Sequence, residues 1–168
     1  MSERIERVRS LLGDACLDSH DYLGDDTVLV AAESIVLALR TLRDDSVLRL
    51  NFLMDLTAVD YPGRDPRFEV VYHLASIDTE PRGSEPSRLR HRLRVKAGVA
   101  EVPCEIDSVT PLWASANWME REAWDLYGVR FKGHPRMERI LLYEAFQGHP
   151  LRKDCPKERR QPLIGPRN

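Results

Sequence analysis

Glu120, two histidines in a repeated tripeptide and three cysteines are the side chains whose type and setting could do chemistry in this chain of 168 residues. On a helical wheel over residues 116–127, Ala116, Ala123, Trp124 and Tyr127 share one face, Trp113 joins them if the helix is continuous, and Glu120 falls in the middle. A carboxylate in an apolar stripe must find a partner or become neutral. It is then either a general acid or base with a shifted pKa, or half of a structural ion pair that pins the C-terminal segment to the helix. Arg121 points well away on the wheel, so Arg139 and Arg152 are the candidate cations. The ion pair is the weightier reading, because no nucleophile stands beside Glu120 in a recognised arrangement.

Gly133-His134-Pro135 and Gly148-His149-Pro150 repeat one pattern. An imidazole there can be a base, a metal ligand or a turn residue. A following proline favours extended or turning backbone at the histidine, and no third ligand motif stands near, so two similar turns carry more weight than a metal site. Cys16, Cys104 and Cys155 are far apart and form no C-x-x-C pair. That is one thiolate short of the usual cubane cluster set, it does not describe a cysteine-rich zinc site, and it suits a reducing compartment. No G-x-G-x-x-G, P-loop or Ser-His-Asp motif occurs.

The elements that must position these residues are partly legible. Ile5, Val8, Leu11, Leu12, Ala15 and Cys16 have helical spacing, which predicts a short amphipathic helix closing near Gly13 or a little later. Residues 27–31 read as a short strand, and Ser34 as the N-cap of a helix to about Arg43 with Ile35, Ala38, Leu39 and Leu42 on one face. Leu48, Leu50, Phe52, Met54 and Leu56 alternate with polar residues, which predicts a half-buried strand with those five on its inner face. A Pro-Gly turn over residues 60–66 leads to a second strand over 68–77, apolar on both faces. After a loop with Pro81, Gly83 and Pro86, Leu89, Leu93 and Val95 alternate with Arg88, Arg90, Arg92, Arg94 and Lys96 in a third strand. Short loops make these three an antiparallel meander. The cations read first as a solvated face guarding an edge strand, and second as a site for RNA or another anion, although no aromatics interleave them. Thr110 followed by Pro111 predicts a helix start, Asn117 with Glu120 a capping-box variant after a break near residues 114–117, and Gly128 the helix stop.

The chain carries 42% apolar and 31% charged residues with a net charge of −2, which fits one folded domain and excludes a whole-chain basic footprint for nucleic acid. Its longest apolar stretch, Val28 to Leu39, is interrupted by Glu33 and Ser34 and falls short of the roughly 20 residues of a membrane span. The start, Met1-Ser2-Glu3-Arg4, leads into a charged helix rather than a signal peptide, so a cytosolic protein, or one held at a membrane through a partner, is expected. Residues 152–168 carry six cations against two acids, a net +4, so the remainder carries −6. With few large apolar residues after 143, an α+β core domain over 1–143 and an extended interaction tail over 144–168 are expected, the tail ordering on an acidic partner surface that meets Arg152, Lys153, Arg159 and Arg160.

The run Glu120-Arg121-Glu122-Ala123-Trp124-Asp125-Leu126-Tyr127-Gly128-Val129, then Gly133-His134-Pro135, Arg139-Ile140-Leu141 and Gly148-His149-Pro150-Leu151-Arg152-Lys153-Asp154, resembles the 30 kDa subunit of respiratory complex I, the bacterial NADH-quinone oxidoreductase, in order and spacing. Residues 51–61, Asn51 to Tyr61, are similar to that family's central strand, and the resemblance spans roughly residues 27–156. Two positions depart from it: Glu138 stands before Arg139 where many relatives are basic, and Cys155 where many are aromatic.

The resemblance implies an α+β fold with a mainly antiparallel sheet packed against helices. It implies a non-catalytic scaffold subunit in the quinone module of the peripheral arm of a proton-translocating NADH:quinone oxidoreductase. No cofactor is expected in this chain; iron–sulfur clusters, FMN and quinone are expected on partner subunits. The expected partners are the large 49 kDa protein and neighbouring peripheral-arm subunits, with no nucleic acid, only indirect membrane contact, a place on the cytoplasmic side of the bacterial inner membrane, and a stand-alone rather than fused form. The motif residues Glu120, Arg121, Glu122, Asp125, Leu126, Gly128, Gly133, His134, Pro135, Arg139, Ile140 and Gly148–Asp154 are the expected interface. The alternative is the equivalent subunit of a complex-I-like membrane-bound hydrogenase or other donor:quinone dehydrogenase.

Overall fold

Alternating and doubly apolar runs build the centre of the molecule, and helices cover one side of it. The computed structural model describes residues 3–78, 89–158 and 160–162. In chain order the elements are α1 (Glu3–Leu12), β1 (Cys16–Tyr22), β2 (Asp25–Val30), α2 (Ile35–Asp44), β3 (Phe52–Asp60), β4 (Phe68–Ile77), β5 (Leu89–Val99), β6 (Glu105–Asp107), α3 (Ala116–Tyr127) and β7 (Arg130–Lys132). The main sheet has the order β1-β2-β5-β4-β3, and β6 pairs with β7 in a second, small parallel ribbon.

β3, β4 and β5 form the expected antiparallel meander. β2 then pairs with β5 in parallel, which closes the sheet over the connection through α2. The fold is α+β with a mainly antiparallel sheet. Direct partners Val28, Val95, Tyr72 and Leu56 define the inner face. They join side chains of all three helices, among them Val8, Leu39 and Ala123, in one core cluster.

Several expectations are corrected. The first helix ends at Leu12, beside the expected stop at Gly13, but Ala15 and Cys16 do not belong to it, and Cys16 opens an edge strand instead. Ser34 does stand before α2, but its side chain makes no capping bond. Leu48, Leu50 and Leu56 are buried, whereas Phe52 and Met54 are 47% and 41% exposed and Leu53 takes the inner place. Leu48 and Leu50 precede the strand, which starts at Phe52, and inside it a register shift between Leu53 and Asp55 carries the inner face from Leu53 to Leu56. Such a break in the pleat exchanges the two faces. β5 is not an edge: it lies between β2 and β4. Its cations meet acids or a hydroxyl within the sheet, Arg90 with Asp78, Arg92 with Asp25, Arg94 with Thr27 and Lys96 with Glu69. Arg88 and the loop prolines lie outside the described residues.

Thr110-Pro111 does not start α3. The Leu112 and Trp113 amides both donate to the Val109 carbonyl in a separate turn, and the helix begins at Ala116. Gly128 does end it, at φ +82°, with its N–H donating to the Trp124 carbonyl at 2.8 Å.

Candidate functional site: helix α3 and the segment folded over it

Asp125 is the hub. It is fully buried on α3, and its Oδ2 accepts the amides of Ile140, Leu141 and Leu142 at 3.1, 3.0 and 2.9 Å. Oδ1 accepts from Arg139 Nη1 at 2.6 Å. Burial alone would raise this carboxyl, but the three amides and Arg139 together outweigh it and hold it below the ordinary aspartate range. Arg139 spends its second nitrogen on the carbonyls of Phe146 and Gly148, and its guanidinium lies 5.8 Å from the Trp124 and Phe146 rings. One turn earlier, Arg121 donates to the carbonyls of Glu138 and Arg139 and lies over Trp118. Two arginines and one aspartate thus satisfy the backbone of an irregular segment that has no ladder of its own.

Both histidines serve the backbone. His149 Nδ1–H donates to the Asp125 carbonyl at 2.9 Å, and its ring meets Trp124 edge-on at 6.3 Å. The Leu151 amide donates to the Leu126 carbonyl, one of the free carbonyls at the end of α3. His134 Nε2–H donates to the Asn117 carbonyl, while its Nδ1 accepts the Arg136 amide. Both Gly-His-Pro repeats are turns with a bonded imidazole, so the structural reading of the pair holds.

The segment then reaches the far end of the sheet. Arg67, just before β4, holds Asp60 with two bonds of 2.7 and 2.9 Å and turns Nη1 to Glu101 and Asp154. Arg152 meets Asp154 and Glu101 from the other side, and both guanidiniums lie 5.1 Å from the Phe68 ring. The Lys153 amide donates to Asp60 Oδ2 at 2.7 Å. Arg67 holds the Asp60 carboxyl, and Arg152 with Arg67 the Asp154 carboxyl, below the usual carboxylate range. Arg152 therefore has its acids within the chain, which corrects the expectation that it waits for a partner's. The side chains of Lys153 and Arg160 are exposed, and Arg159 lies outside the described residues.

Glu120 is fully buried, as the wheel required, but no cation pairs with it among the described residues. Its Oε1 accepts the Val109 amide and its Oε2 accepts Ser108 Oγ–H, each at 2.7 Å. Burial raises its pKa to about 7 against the pull of those two bonds. Arg139 and Arg152, the cations expected for it, are taken by Asp125 and by Asp154 with Glu101.

The structure thus brings Arg121, Asp125, Leu126, Gly128, Arg139, Ile140, Gly148, His149 and Leu151 into one joint. Arg152, Lys153 and Asp154 meet the sheet end instead, Glu120 turns to the 108–109 turn, and Glu122, Pro135 and Pro150 lie apart from the joint's hydrogen bonds, Pro135 and Pro150 being exposed. Sequence reasoning missed Asp60, Arg67, Glu101 and Ser108. Arg67, adjoining a doubly apolar strand, was the readable signal, because a cation beside a buried strand needs an acid. The joint offers charge-assisted fastening rather than a nucleophile with a base. Among the described residues no group of three or more His, Cys, Asp or Glu side chains is placed to hold a metal ion, and none of the helices among them is long and apolar enough to cross a membrane.

Comparison with known proteins gives a consistent set of likenesses. Residues 28–161 match the model of a family described as respiratory-chain NADH dehydrogenase, 30 Kd subunit. The chain is 49% identical to the C subunit of NADH-quinone oxidoreductase from Citrifermentans bemidjiense, over 90% of this chain and 87% of that one. It is also 49% identical to the protein of the same name from a Roseiflexus species, over 90% and 82%. Among solved structures, a trypsin-resistant fragment (1-134) of Nqo5 superposes with a TM-score of 0.60 at 31% identity, over 79% of this chain and 98% of that one. A chain from an archaeal membrane-bound sulfane sulfur reductase shares the fold, with a TM-score of 0.64 at 21% identity, over 84% of this chain and 77% of that one.

Proposed function

The chain belongs to the respiratory-chain NADH dehydrogenase 30 kDa subunit family, and from that premise we propose that it is a scaffold subunit of a proton-translocating NADH:quinone oxidoreductase, without catalysis of its own. It holds the quinone module of the peripheral arm together while partner subunits carry FMN, the iron–sulfur clusters and quinone. One observation carries the reading. Half of the family-motif residues meet in a joint in which Asp125, Arg139, Arg121 and His149 are spent on fastening the chain to itself. Chemistry of that kind builds a rigid, shaped surface, and the joint sets no nucleophile beside a base.

In this reading the protein sits on the cytoplasmic side of the membrane through its complex, and its neighbour is the 49 kDa protein. Residues 1–143 are the folding unit and residues 144–168 the interaction tail. Here the tail folds back on the molecule, through Arg152 and Asp154 at the sheet end and farther on through Gln161 bonded to Gln147 and the Pro162 carbonyl accepting from the Tyr143 hydroxyl, so the part that meets a partner is its outer side, with exposed Lys157, Glu158 and Arg160.

The test is purification of the tagged full-length chain from the membranes of its own cells, followed by identification of what accompanies it. The expected result is stoichiometric recovery of the 49 kDa protein and the NADH-oxidising flavoprotein. Recovery with hydrogenase subunits instead, or of the chain alone, would overturn the proposal.

A further inference from the structure

Glu120 lies at the inner end of a chain of hydroxyls. Its Oε2 stands 2.7 Å from Ser108 Oγ, and Ser108 Oγ stands 2.8 Å from Thr110 Oγ1, with either hydroxyl able to donate. Thr110 is half-buried, and its amide also reaches Ser108 Oγ at 3.2 Å. The same heavy-atom positions serve both states of the carboxyl. When Glu120 is ionised, Ser108 donates to it and accepts from Thr110. When it is protonated, Oε2–H donates to Ser108, whose own proton points to Thr110.

The surroundings leave the charge uncompensated. On β4, Tyr72 is fully buried and its hydroxyl has no hydrogen-bond partner among the described residues. Asp107 on β6 is paired with Lys132 on β7, and Asp60 on β3 with Arg67. On α3 itself Asp125 is paired with Arg139, and Glu122 lies on the side of the helix turned from Glu120. These cations are thus bonded elsewhere, and the ionised carboxyl rests on one hydroxyl and one amide. Burial then works against the charged form, in the same direction as the geometry.

We propose that Thr110, Ser108 and Glu120 form a proton-exchange route, by which a carboxyl buried under α3 changes charge in the folded protein and resets the Val109 amide bond that ties the 108–110 turn to α3. The proton balance is simple. A hydronium ion gives one proton to Thr110 Oγ1 and leaves as water, the Thr110 proton passes to Ser108 Oγ, and the Ser108 proton passes to Glu120 Oε2. Both hydroxyls end as they began, and the net change is one proton on the carboxylate. The Val109 amide then donates to a neutral acceptor instead of a charged one, which weakens that bond. The result is a pH-responsive contact between the β6–α3 connection and the helix that carries the joint.

Two measurements on the full-length protein test it. The side-chain carboxyl carbon of Glu120, assigned by its loss in Glu120→Gln, and the Val109 amide should titrate together with one midpoint within about one pH unit of neutrality. After a rapid pH jump, followed by the carboxyl C=O infrared band, Thr110→Val should slow deprotonation at least about tenfold with little change of midpoint. Thr110→Ser, which restores the hydroxyl, should keep the rate. A midpoint below about pH 5, near an ordinary glutamate, a Val109 amide that does not follow it, or an unchanged rate in Thr110→Val would overturn the proposal.

Discussion

Gly128 and His149 interlock. A Cβ on Gly128 would stand 2.7 Å from Cδ2 and 2.9 Å from Nε2 of His149, at a backbone φ of +82°. The glycine that ends α3 and the histidine of the second Gly-His-Pro turn therefore share one volume, and the missing side chain is what lets the C-terminal segment close over the helix end.

Gly128→Ala is predicted to cost more than the left-handed backbone alone explains. Gly133 has nearly the same φ, +78°, and nothing within 4 Å of its Cβ position. Gly133→Ala should thus lose only the strain, about 1–2 kcal/mol. Gly128→Ala should lose that and also displace His149, so its denaturant midpoint should fall further by the equivalent of at least about 1 kcal/mol, the order of the lost His149 hydrogen bond. Equal losses in the two variants would show that the contact with His149 is soft.

Asp125→Ala should loosen the joint as a unit. The change strands a mostly buried guanidinium, with the Arg139 side chain 17% exposed, and three amides. Breaking such a pair costs about 3–5 kcal/mol. Thermal melts should show a large loss, and limited trypsin should cut after Arg139 and Arg152, which wild type protects. A variant that melts like wild type would mean that the fastening lies elsewhere.

The molecule should respond to pH with two opposite slopes. Asp60, Asp125 and Asp154 are held below the ordinary aspartate value of 3.8. Their contribution is complete above that value and is lost as pH falls through their lower folded values. Glu120 has the reverse sign. Its folded value of about 7 lies above the ordinary glutamate value of 4.5, so stability falls as pH rises from 4.5 to 7 and then levels off. In Glu120→Gln the fall from pH 4.5 to 7 should vanish, leaving the opposite rise from His73 and His91, which burial holds below the ordinary histidine value of 6.5, and the variant should be more stable than wild type at pH 8 by about 1–3 kcal/mol. Glu120→Ala should be less stable than Glu120→Gln at every pH, because it leaves the Val109 amide without its acceptor and opens a cavity. Urea titrations at about pH 5 and about pH 8, on either side of the Glu120 transition, decide. A Gln variant with the wild-type slope would assign the neutral transition to another group.

Ending the chain after Gly148 should leave the sheet and helices folded. Asp60 keeps Arg67, and Asp125 keeps Arg139 and its three amides, when His149, Leu151 and Lys153 are gone. Co-purification with partner subunits should be lost while the far-ultraviolet spectrum stays. A shorter deletion, after Cys155, keeps the bonds of His149, Leu151, Arg152, Lys153 and Asp154, loses those of Gln161 and Pro162, and separates tail binding from core stability. If it still assembles, the interface lies on the core rather than beyond Asp154.

Local patterns were enough to reveal the meander, the face of α2, that of β5 from Leu93 onward though not at exposed Leu89, the Gly128 stop and the burial of Glu120. Each depends on a period or a backbone preference that a few neighbouring residues already impose. The true inner face of β3 was not legible, because the strand starts only at Phe52 and a bulge inside it exchanges the faces, and neither leaves a mark on the alternation. The place of β5 in the middle of the sheet was hidden too, since a cation row looks the same whether it guards an edge or meets acids of neighbouring strands. The partners of the buried charges were decided only in three dimensions. Arg139 reaches Asp125 over 14 residues, Arg67 reaches Asp154 over 87, and Glu120 finds an amide and a hydroxyl in place of any cation. The sequence states that a buried charge must be satisfied; only the tertiary structure decides by whom, because the candidates are distant in the chain and are sorted by which backbone groups are left unpaired when the helix and sheet close.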